Sequence, residues 1–165
     1  MRVLGCTAHY SEERALELRQ KGITLTTFNT VLAESDFISL HVPKTSETTN
    51  MINAHTLACM KRGAYLVNLA RGGVVDEAAL YEALQSGQLN GAALDVHMAE
   101  GEGKISGLAG LKNVLLTPHI GAGTFDSQRE IGEIAIAKIE AFEQEAALAP
   151  HGRRLPLLGT IEVVS

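Results

Sequence analysis

Polar and charged side chains stand at or just beyond the ends of four short apolar runs in the sequence. They are two histidines, an arginine and an aspartate: His41, Arg71, Asp95 and His119. Imidazole can take up or release a proton near neutral pH, and a guanidinium can hold a carboxylate through two parallel hydrogen bonds. Glu100, in the glycine-rich segment after Asp95, could join the set. Together these residues predict an acid–base site with an arginine that binds an anion.

Each of these residues also has an ordinary structural interpretation. Arg71 begins an Arg-Gly-Gly turn, where a solvated side chain is common. His119 lies in a turn of sequence Thr-Pro-His-Ile-Gly and could bond only to the backbone, while Asp95 could accept from a backbone amide. Glu100 is followed by a glycine and a second glutamate, which is typical of a surface acid. The residue types alone leave both interpretations open.

The apolar runs have the length and the β-branched content of strands, and they alternate with helical patterns. The predicted strands are 3–6, 23–26, 37–41, 64–69, 92–96 and 114–117. The predicted helices are 12–20 after Ser11, a short helix from Asn53 to residue 60, 77–86 after Asp76, and 124–147. Strands that alternate with helices predict an α/β fold with a doubly wound, mostly parallel sheet. Since ligands bind at the carboxyl ends of such strands, the polar residues should meet at one edge.

Three finer expectations follow from the pattern. Residues 64–69 are apolar on both faces for most of their length, which predicts a strand covered on both sides. The cysteines, Cys6 and Cys59, are too few for a disulfide framework or a metal site and are expected to be buried thiols. The histidines His9, His55, His97 and His151 are expected to be exposed or to lie on helix surfaces.

Composition restricts the class of protein. The chain has 165 residues, of which 45% are hydrophobic and 20% are charged, as in one ordinary globular domain. A formal net charge of −5 argues against sequence-independent binding of nucleic acid. No apolar stretch is long enough to span a membrane, and the first residues do not have the pattern of a signal peptide, so a cytoplasmic protein is expected.

Four segments of the sequence, 34–43, 60–76, 91–96 and 113–121, carry a family resemblance. The second contains Val-Asn-Leu-Ala-Arg-Gly-Gly-Val-Val-Asp, and the fourth contains Leu-Thr-Pro-His-Ile-Gly. Together they resemble the nicotinamide-cofactor domain of the D-isomer-specific 2-hydroxyacid dehydrogenases, and phosphoglycerate dehydrogenase-like enzymes most of all. The resemblance implies a partial Rossmann-like domain over residues 1–147 that lacks the first βα unit. The tail, 148–165, has no counterpart in the family.

The resemblance also implies an oxidoreductase that acts on the CH–OH group of a D-2-hydroxy acid, or on the corresponding 2-keto acid. Arg71 would hold the substrate carboxylate with its planar fork of donors. His119 would take the hydroxyl proton during oxidation and return it during reduction. Glu100 would orient the imidazole of His119. The implied partner is a small molecule, with neither nucleic acid nor membrane involved.

The cofactor that the resemblance implies is NAD, with NADP left open. Asp95 would bond the nicotinamide carboxamide, and Gly121 would let the backbone approach the cofactor closely. Thr7 stands where the family usually has an acidic residue that binds the adenosine ribose, so the 2′-phosphate of NADP is not repelled there. The implied cofactor-binding residues are Thr7, His41, Val42, Pro43, Leu69, Ala70, Arg71, Asp95, His119 and Gly121.

Two departures from the family pattern bear on activity. Within the 165 residues, no glycine-rich phosphate-binding turn follows a first strand. The substrate domain that precedes the cofactor domain in the family is also not among these residues. These residues alone are therefore expected to be inactive, and the particular 2-hydroxy acid is not identified. A non-catalytic nucleotide-binding or corepressor-like module and an inactive truncated product are the alternatives. The sequence is compatible with a homodimer but does not predict one.

Overall fold

The computed structural model describes residues 1–98 and 106–148. The chain divides into two units, Met1–Pro118 and His119–Ser165, and each is described by itself. The elements in chain order are β1 (Val3–Gly5), α1 (Glu12–Gln20), β2 (Ile23–Leu25), α2 (Phe28–Glu34), β3 (Phe37–Leu40), α3 (Ala54–Cys59), β4 (Ala64–Asn68), α4 (Glu77–Gln85), β5 (Leu89–Leu94), a 3-10 helix (Gly107–Gly110), β6 (Val114–Leu116) and α5 (Phe125–Leu148). Glu100 and the end of the tail, from residue 149, lie outside the described residues.

Four strands of the first unit form a parallel sheet in the order β3-β4-β5-β6. Side chains alternate across β4, so Ala64, Leu66 and Asn68 share one face and are buried. Leucines from α2, α3, α4 and the 3-10 helix pack into the same core: Leu32, Leu57, Leu80, Leu84 and Leu108. The predicted α/β fold with a parallel sheet is confirmed.

The opposite face of this sheet carries exposed apolar side chains. Phe37 in β3 and Tyr65 in β4 stack with their ring centroids 5.0 Å apart, and the two residues are 68% and 40% exposed. Leu115 in β6 is exposed on the same face. The prediction that β4 is covered on both sides is therefore wrong. The prediction assumed that apolar side chains on both faces must be buried, but large apolar side chains such as Tyr65 also occur at protein surfaces.

Side-chain caps fix where the helices begin. The side-chain oxygens of Ser11 and Asp76 accept hydrogen bonds from backbone N–H groups in the first turns of α1 and α4, and Asn53 does the same for α3. All three predicted capping positions are confirmed. The sequence analysis does not predict helix α2, which follows its cap at Thr27, has only seven residues and has no glycine at its carboxyl end.

Strands β1 and β2 form a separate two-stranded parallel sheet with α1 between them in the chain. No residue from 1 to 27 is buried. Cys6, which follows β1, and Cys59, at the end of α3, are both exposed. The prediction of buried thiols is wrong, because one cysteine lies beside a sheet with no buried residue and the other ends a helix.

The described part of the second unit consists mainly of α5, whose predicted range of 124–147 differs from the observed range by one residue at each end. The apolar stripe of this helix includes Ile131, Ile134 and Ile139, which are all more than half exposed. A search of residues 1–98 and 106–148 finds no helix that is long and apolar enough to cross a membrane.

Candidate active site

A buried asparagine ends strand β4 and fixes the turn that follows it. Asn68 is 1% exposed, its Oδ1 accepts from Ala70 N at 3.1 Å, and its Nδ2 donates to Arg71 O at 3.2 Å. A buried amide costs free energy unless its polar atoms are paired, and here the turn supplies the partners. The backbone of Leu69-Ala70-Arg71 is therefore held at the carboxyl edge of the sheet.

The side chain of Arg71 is exposed at this edge. Its Nη1 donates to the Ala70 carbonyl oxygen at 2.7 Å. Within the described part of the chain it forms no ion pair with a carboxylate. Because a guanidinium has five N–H donors, most of them are left for solvent or for a ligand.

Asp95 follows strand β5 at the same edge and is 4% exposed. Its backbone N–H donates to Asn68 O at 3.0 Å, which ties the ends of β4 and β5 together. Thr117, which follows β6, donates from Oγ1 to Asp95 Oδ1. Three neighbouring strand ends are thus connected through polar groups, and the structure places Arg71 and Asp95 at one edge of the sheet.

His97 is half-buried, and its Nε2 donates to the Thr117 carbonyl oxygen at 3.1 Å. The prediction of an exposed histidine at this position is wrong. His97 comes two residues after Asp95, and the chain there has not yet left the sheet edge, so its ring can reach the end of β6.

His41, Val42 and Pro43 follow strand β3. His41 Nε2 and Ser39 Oγ lie 2.8 Å apart in a hydrogen bond, and both residues are exposed. Val42 packs against the core. The Pro43 carbonyl oxygen accepts from Thr48 Oγ1 at 2.6 Å, so the end of the segment is held by the loop that follows it.

Thr7 follows β1 and therefore belongs to the two-stranded sheet rather than to the edge that carries Arg71. It lines an open cavity of about 350 Å³ with Tyr10, from the loop before α1, and three residues at or just after the end of β2: Leu25, Thr26 and Thr27. The walls combine one aromatic ring, one leucine and several hydroxyl groups.

The remaining predicted residues are distributed differently. His119 begins the second unit and has a left-handed φ of 55°, and Gly121 follows it in the same unit. A positive φ is unusual for a residue with a β-carbon and marks a tight turn at this histidine. Glu100 lies outside the described residues. The described edge of the first unit therefore brings together Arg71 and Asp95, with His41–Pro43 on the neighbouring strand end.

Two residues of this edge are not found by the sequence analysis. Asn68 has a detectable signal, because it is the polar residue in the buried alternation of β4. Lys44, whose Nζ lies next to Gly73 in the turn after Arg71, has no such signal, since a lysine after His-Val-Pro is typical of any surface loop. Among the described residues, no cluster of His, Cys, Asp or Glu could hold a metal ion.

Sequence comparison identifies relatives over most of the chain. The family model described as D-isomer specific 2-hydroxyacid dehydrogenase, NAD binding domain, matches residues 1–121. The D-3-phosphoglycerate dehydrogenase of Archaeoglobus fulgidus is 46% identical over 134 residues, which are 81% of this chain and 25% of that protein. The glyoxylate reductase of Thermococcus litoralis is 44% identical over 135 residues, which are 81% of this chain and 40% of that protein.

Solved structures give the same result. The D-lactate dehydrogenase from Aquifex aeolicus, complexed with NAD and lactic acid, is similar with a TM-score of 0.73 and 40% identity, over 88% of this chain and 47% of that one. The chain spans less than half the length of these relatives. With a parallel sheet of the same architecture and a family model that matches most of its residues, the chain belongs to the NAD-binding domain family of the D-isomer specific 2-hydroxyacid dehydrogenases.

Proposed function

We propose that this chain supplies the NAD-binding and catalytic residues of an oxidoreductase that acts on the CH–OH group of a D-2-hydroxy acid. The observation that carries the proposal is the turn held by Asn68. It presents Arg71 at the carboxyl edge of a parallel sheet, where Asp95 follows the neighbouring strand, and Arg71 forms no ion pair in the described part of the chain. This is the arrangement that a carboxylate substrate and a nicotinamide amide require.

The described residues fit NAD in the chemistry of their donors and acceptors. Asp95 provides an acceptor for the N–H groups of a carboxamide at the end of β5. The cavity beside Thr7 offers hydroxyl groups and an aromatic wall for the adenosine end. Because Thr7 is neutral, it has no charge with which to repel the 2′-phosphate of NADP, and we propose NAD as the cofactor on the strength of the family.

The bound nicotinamide ring would exchange a hydride with C2 of the substrate. Arg71 binds the substrate carboxylate through its fork of N–H donors, which fixes the orientation of C2. His119 takes the hydroxyl proton in oxidation and returns it in reduction. The family resemblance assigns Glu100, which lies outside the described residues, to orient the His119 ring. Leu69 and Ala70, in the turn held by Asn68, would lie beside the nicotinamide ring.

The test is a chimera in which this chain is joined to the glycine-rich turn and substrate domain of a related dehydrogenase, such as the Archaeoglobus fulgidus protein. Turnover is followed by nicotinamide absorbance with a panel of 2-keto acids. We expect activity from the chimera and none from the 165 residues alone, because the substrate cleft has walls from both domains. His119→Ala should lower the rate by about 10²–10⁴-fold.

Arg71→Lys is the matched variant for the carboxylate site, since it keeps the charge and removes the fork. We expect it to raise KM more than it lowers kcat. A well-folded chimera with no turnover would favour the non-catalytic nucleotide-binding module. An active chimera that is indifferent to His119→Ala would overturn the assignment of the proton-transferring residue.

A further inference from the structure

Glu77, the first residue of helix α4, is half-buried, and each of its carboxylate oxygens binds a different segment of the chain. Oε1 accepts from the backbone N–H of Met98 at 2.6 Å, and Oε2 accepts from Ser106 Oγ at 2.7 Å. An acid in the first turn of a helix is already favoured by the helix dipole and can remain in solvent. The two bonds to residues outside the helix therefore indicate a further role for this side chain.

The bond to Ser106 fixes the orientation of the carboxylate. Ser106 caps the 3-10 helix, and its Oγ also accepts from Leu108 N at 3.3 Å. Leu108 is fully buried in the same core as Leu80 of helix α4. Because one carboxylate oxygen is tied to the core in this way, the position of the other oxygen, which binds Met98, is fixed as well.

The bond to Met98 closes a ring of two segments at the carboxyl edge of the four-stranded sheet. The segment after β4 leads through the Arg71 turn to α4, and the segment after β5 leads from Asp95 to Met98. Asp95 N donates to Asn68 O at 3.0 Å where the two segments begin, and Met98 N donates to Glu77 where they end. Without the second of these bonds, the ring would be open at the end beside α4.

The side chain of Met98 brings the two segments of this ring together. A β-carbon at Gly73 would be 3.7 Å from Met98 Sδ, so the sulfur lies next to this glycine in the turn after Arg71. Gly73 is itself buried, and its carbonyl oxygen accepts from Asn50 N at 2.9 Å. Since packed groups transmit displacements to their neighbours, a shift of Met98 would move the turn.

We propose that Glu77 is a positioning residue of the active site: by holding the Met98 backbone, it keeps the turn of Arg71 in place relative to the segment that begins at Asp95. This rests on the proposed function, in which Arg71 binds the substrate carboxylate and Asp95 the nicotinamide amide. Glu77 contacts no reacting atom in this assignment. It acts through Arg71, whose guanidinium must meet the carboxylate in the orientation that brings C2 to the nicotinamide ring.

The test compares Glu77→Ala and Glu77→Gln by NMR of the full 165-residue chain. Alanine removes both acceptors, whereas the carbonyl oxygen of glutamine can accept from Met98 N while its amide group donates to the Ser106 hydroxyl. We expect Glu77→Ala to accelerate hydrogen exchange of the Met98 amide by about tenfold, as the loss of one bond to a charged group predicts. It should also shift the amide resonances of Gly72 and Gly73, and Glu77→Gln should restore both signals.

Glu82→Ala is the matched control, because it removes an exposed acid of the same helix that forms no ion pair in the described part of the chain. It should change none of these signals. Faster exchange at Met98 with unshifted Gly72 and Gly73 resonances would overturn the inference, because the bond would then act only locally. An unchanged Met98 amide would overturn it as well, and so would a glutamine variant that behaves like the alanine variant.

The same variants in the chimera separate positioning from stability. Glu77→Ala should lower kcat/KM for 2-keto acids by on the order of tenfold per folded enzyme, and Glu77→Gln should restore it. A lower melting temperature with unchanged kcat/KM would show a structural role alone and would overturn the inference. A chimera without turnover contradicts the proposed function instead, and the Gly72 and Gly73 resonances then decide the role of Glu77.

Discussion

The four-stranded sheet and the two-stranded sheet differ in how their side chains are buried. From α2 to the 3-10 helix, apolar side chains from strands and helices form a continuous core that includes Leu66, Leu80 and Leu94. From residue 1 to residue 27 nothing is buried, and helix α1 contributes no residue to any core. Both regions have the same strand–helix–strand pattern and side-chain caps. Local pattern alone therefore does not produce a core.

This difference divides the proposed cofactor site into two parts of unequal stability. The part with Arg71 and Asp95 rests on strands whose inner faces are buried, and Asn68 links it directly to the core. The part with Thr7 rests on two strands of three residues each, without buried side chains. Regions with few buried contacts open locally at low free-energy cost. The nicotinamide end is expected to be preformed, whereas the adenosine end gains order when the cofactor binds.

The largest expected effect compares two leucine truncations, one in each region. Leu66→Ala in β4 removes a fully buried side chain and should lower the free energy of unfolding by about 2–5 kcal/mol. Leu16→Ala in α1 removes a side chain that is 62% exposed and should change it by less than about 0.5 kcal/mol. Urea unfolding followed by far-ultraviolet circular dichroism measures both. Equal losses would show that the two regions share one core.

Much of the four-stranded region could be predicted from the sequence. In its strands and helices the apolar residues recur with the period of the element, and these are the residues whose side chains are buried. The strand of residues 64–69, the cap at Asp76 and the edge position of Arg71 all follow from local patterns. The exposure of Tyr65 and of Cys6 could not be predicted, since it depends on which other elements cover a face. The position of Lys44 could not be predicted either, because its Nζ lies next to Gly73 only where the loop after β3 is hydrogen-bonded along residues 73 and 74.

Helix caps provide a second, smaller comparison. Asp76→Ala removes the acceptor for Ala78 N and Ala79 N at the start of α4, whose Leu80 and Leu84 are buried, and should cost about 1 kcal/mol of global stability. Asp76→Asn, which keeps the acceptor oxygen, is the matched control.

Ser11→Ala removes the corresponding cap of α1, and its effect should be confined to that helix. Because α1 has no buried residue, its fraying does not cost the core any contact. Hydrogen exchange of the α1 amides should accelerate while the urea midpoint is unchanged. A shift in the midpoint comparable with that of Asp76→Ala would contradict the proposed independence of the two regions.

The smallest expected effect concerns the ion pairs on α1, a helix that has no buried side chain. Glu17 accepts hydrogen bonds from Lys21 Nζ at 2.9 Å and from Arg14 Nη1 at 2.7 Å. These two bonds, with that from Lys21 the larger influence, hold the pKa of the Glu17 carboxyl below its ordinary value. A carboxyl whose pKa is lower in the folded helix than in the unfolded chain stabilises the helix above the unfolded pKa. That contribution is lost as the pH falls through the folded pKa.

Glu17→Gln should therefore reduce the protection of α1 amides at neutral pH and make no difference in acid, where the wild-type carboxyl is already protonated. Glu13→Gln, on the same exposed helix but without an ion pair in the described structure, is the matched control. An NMR titration of the Glu17 side-chain carboxyl measures the lowered pKa directly. Both partners are exposed, so salt should bring the pKa back toward its ordinary value. If salt leaves it unchanged, α1 is less exposed in solution than the structure shows, and the contrast between the two sheets is weaker than proposed.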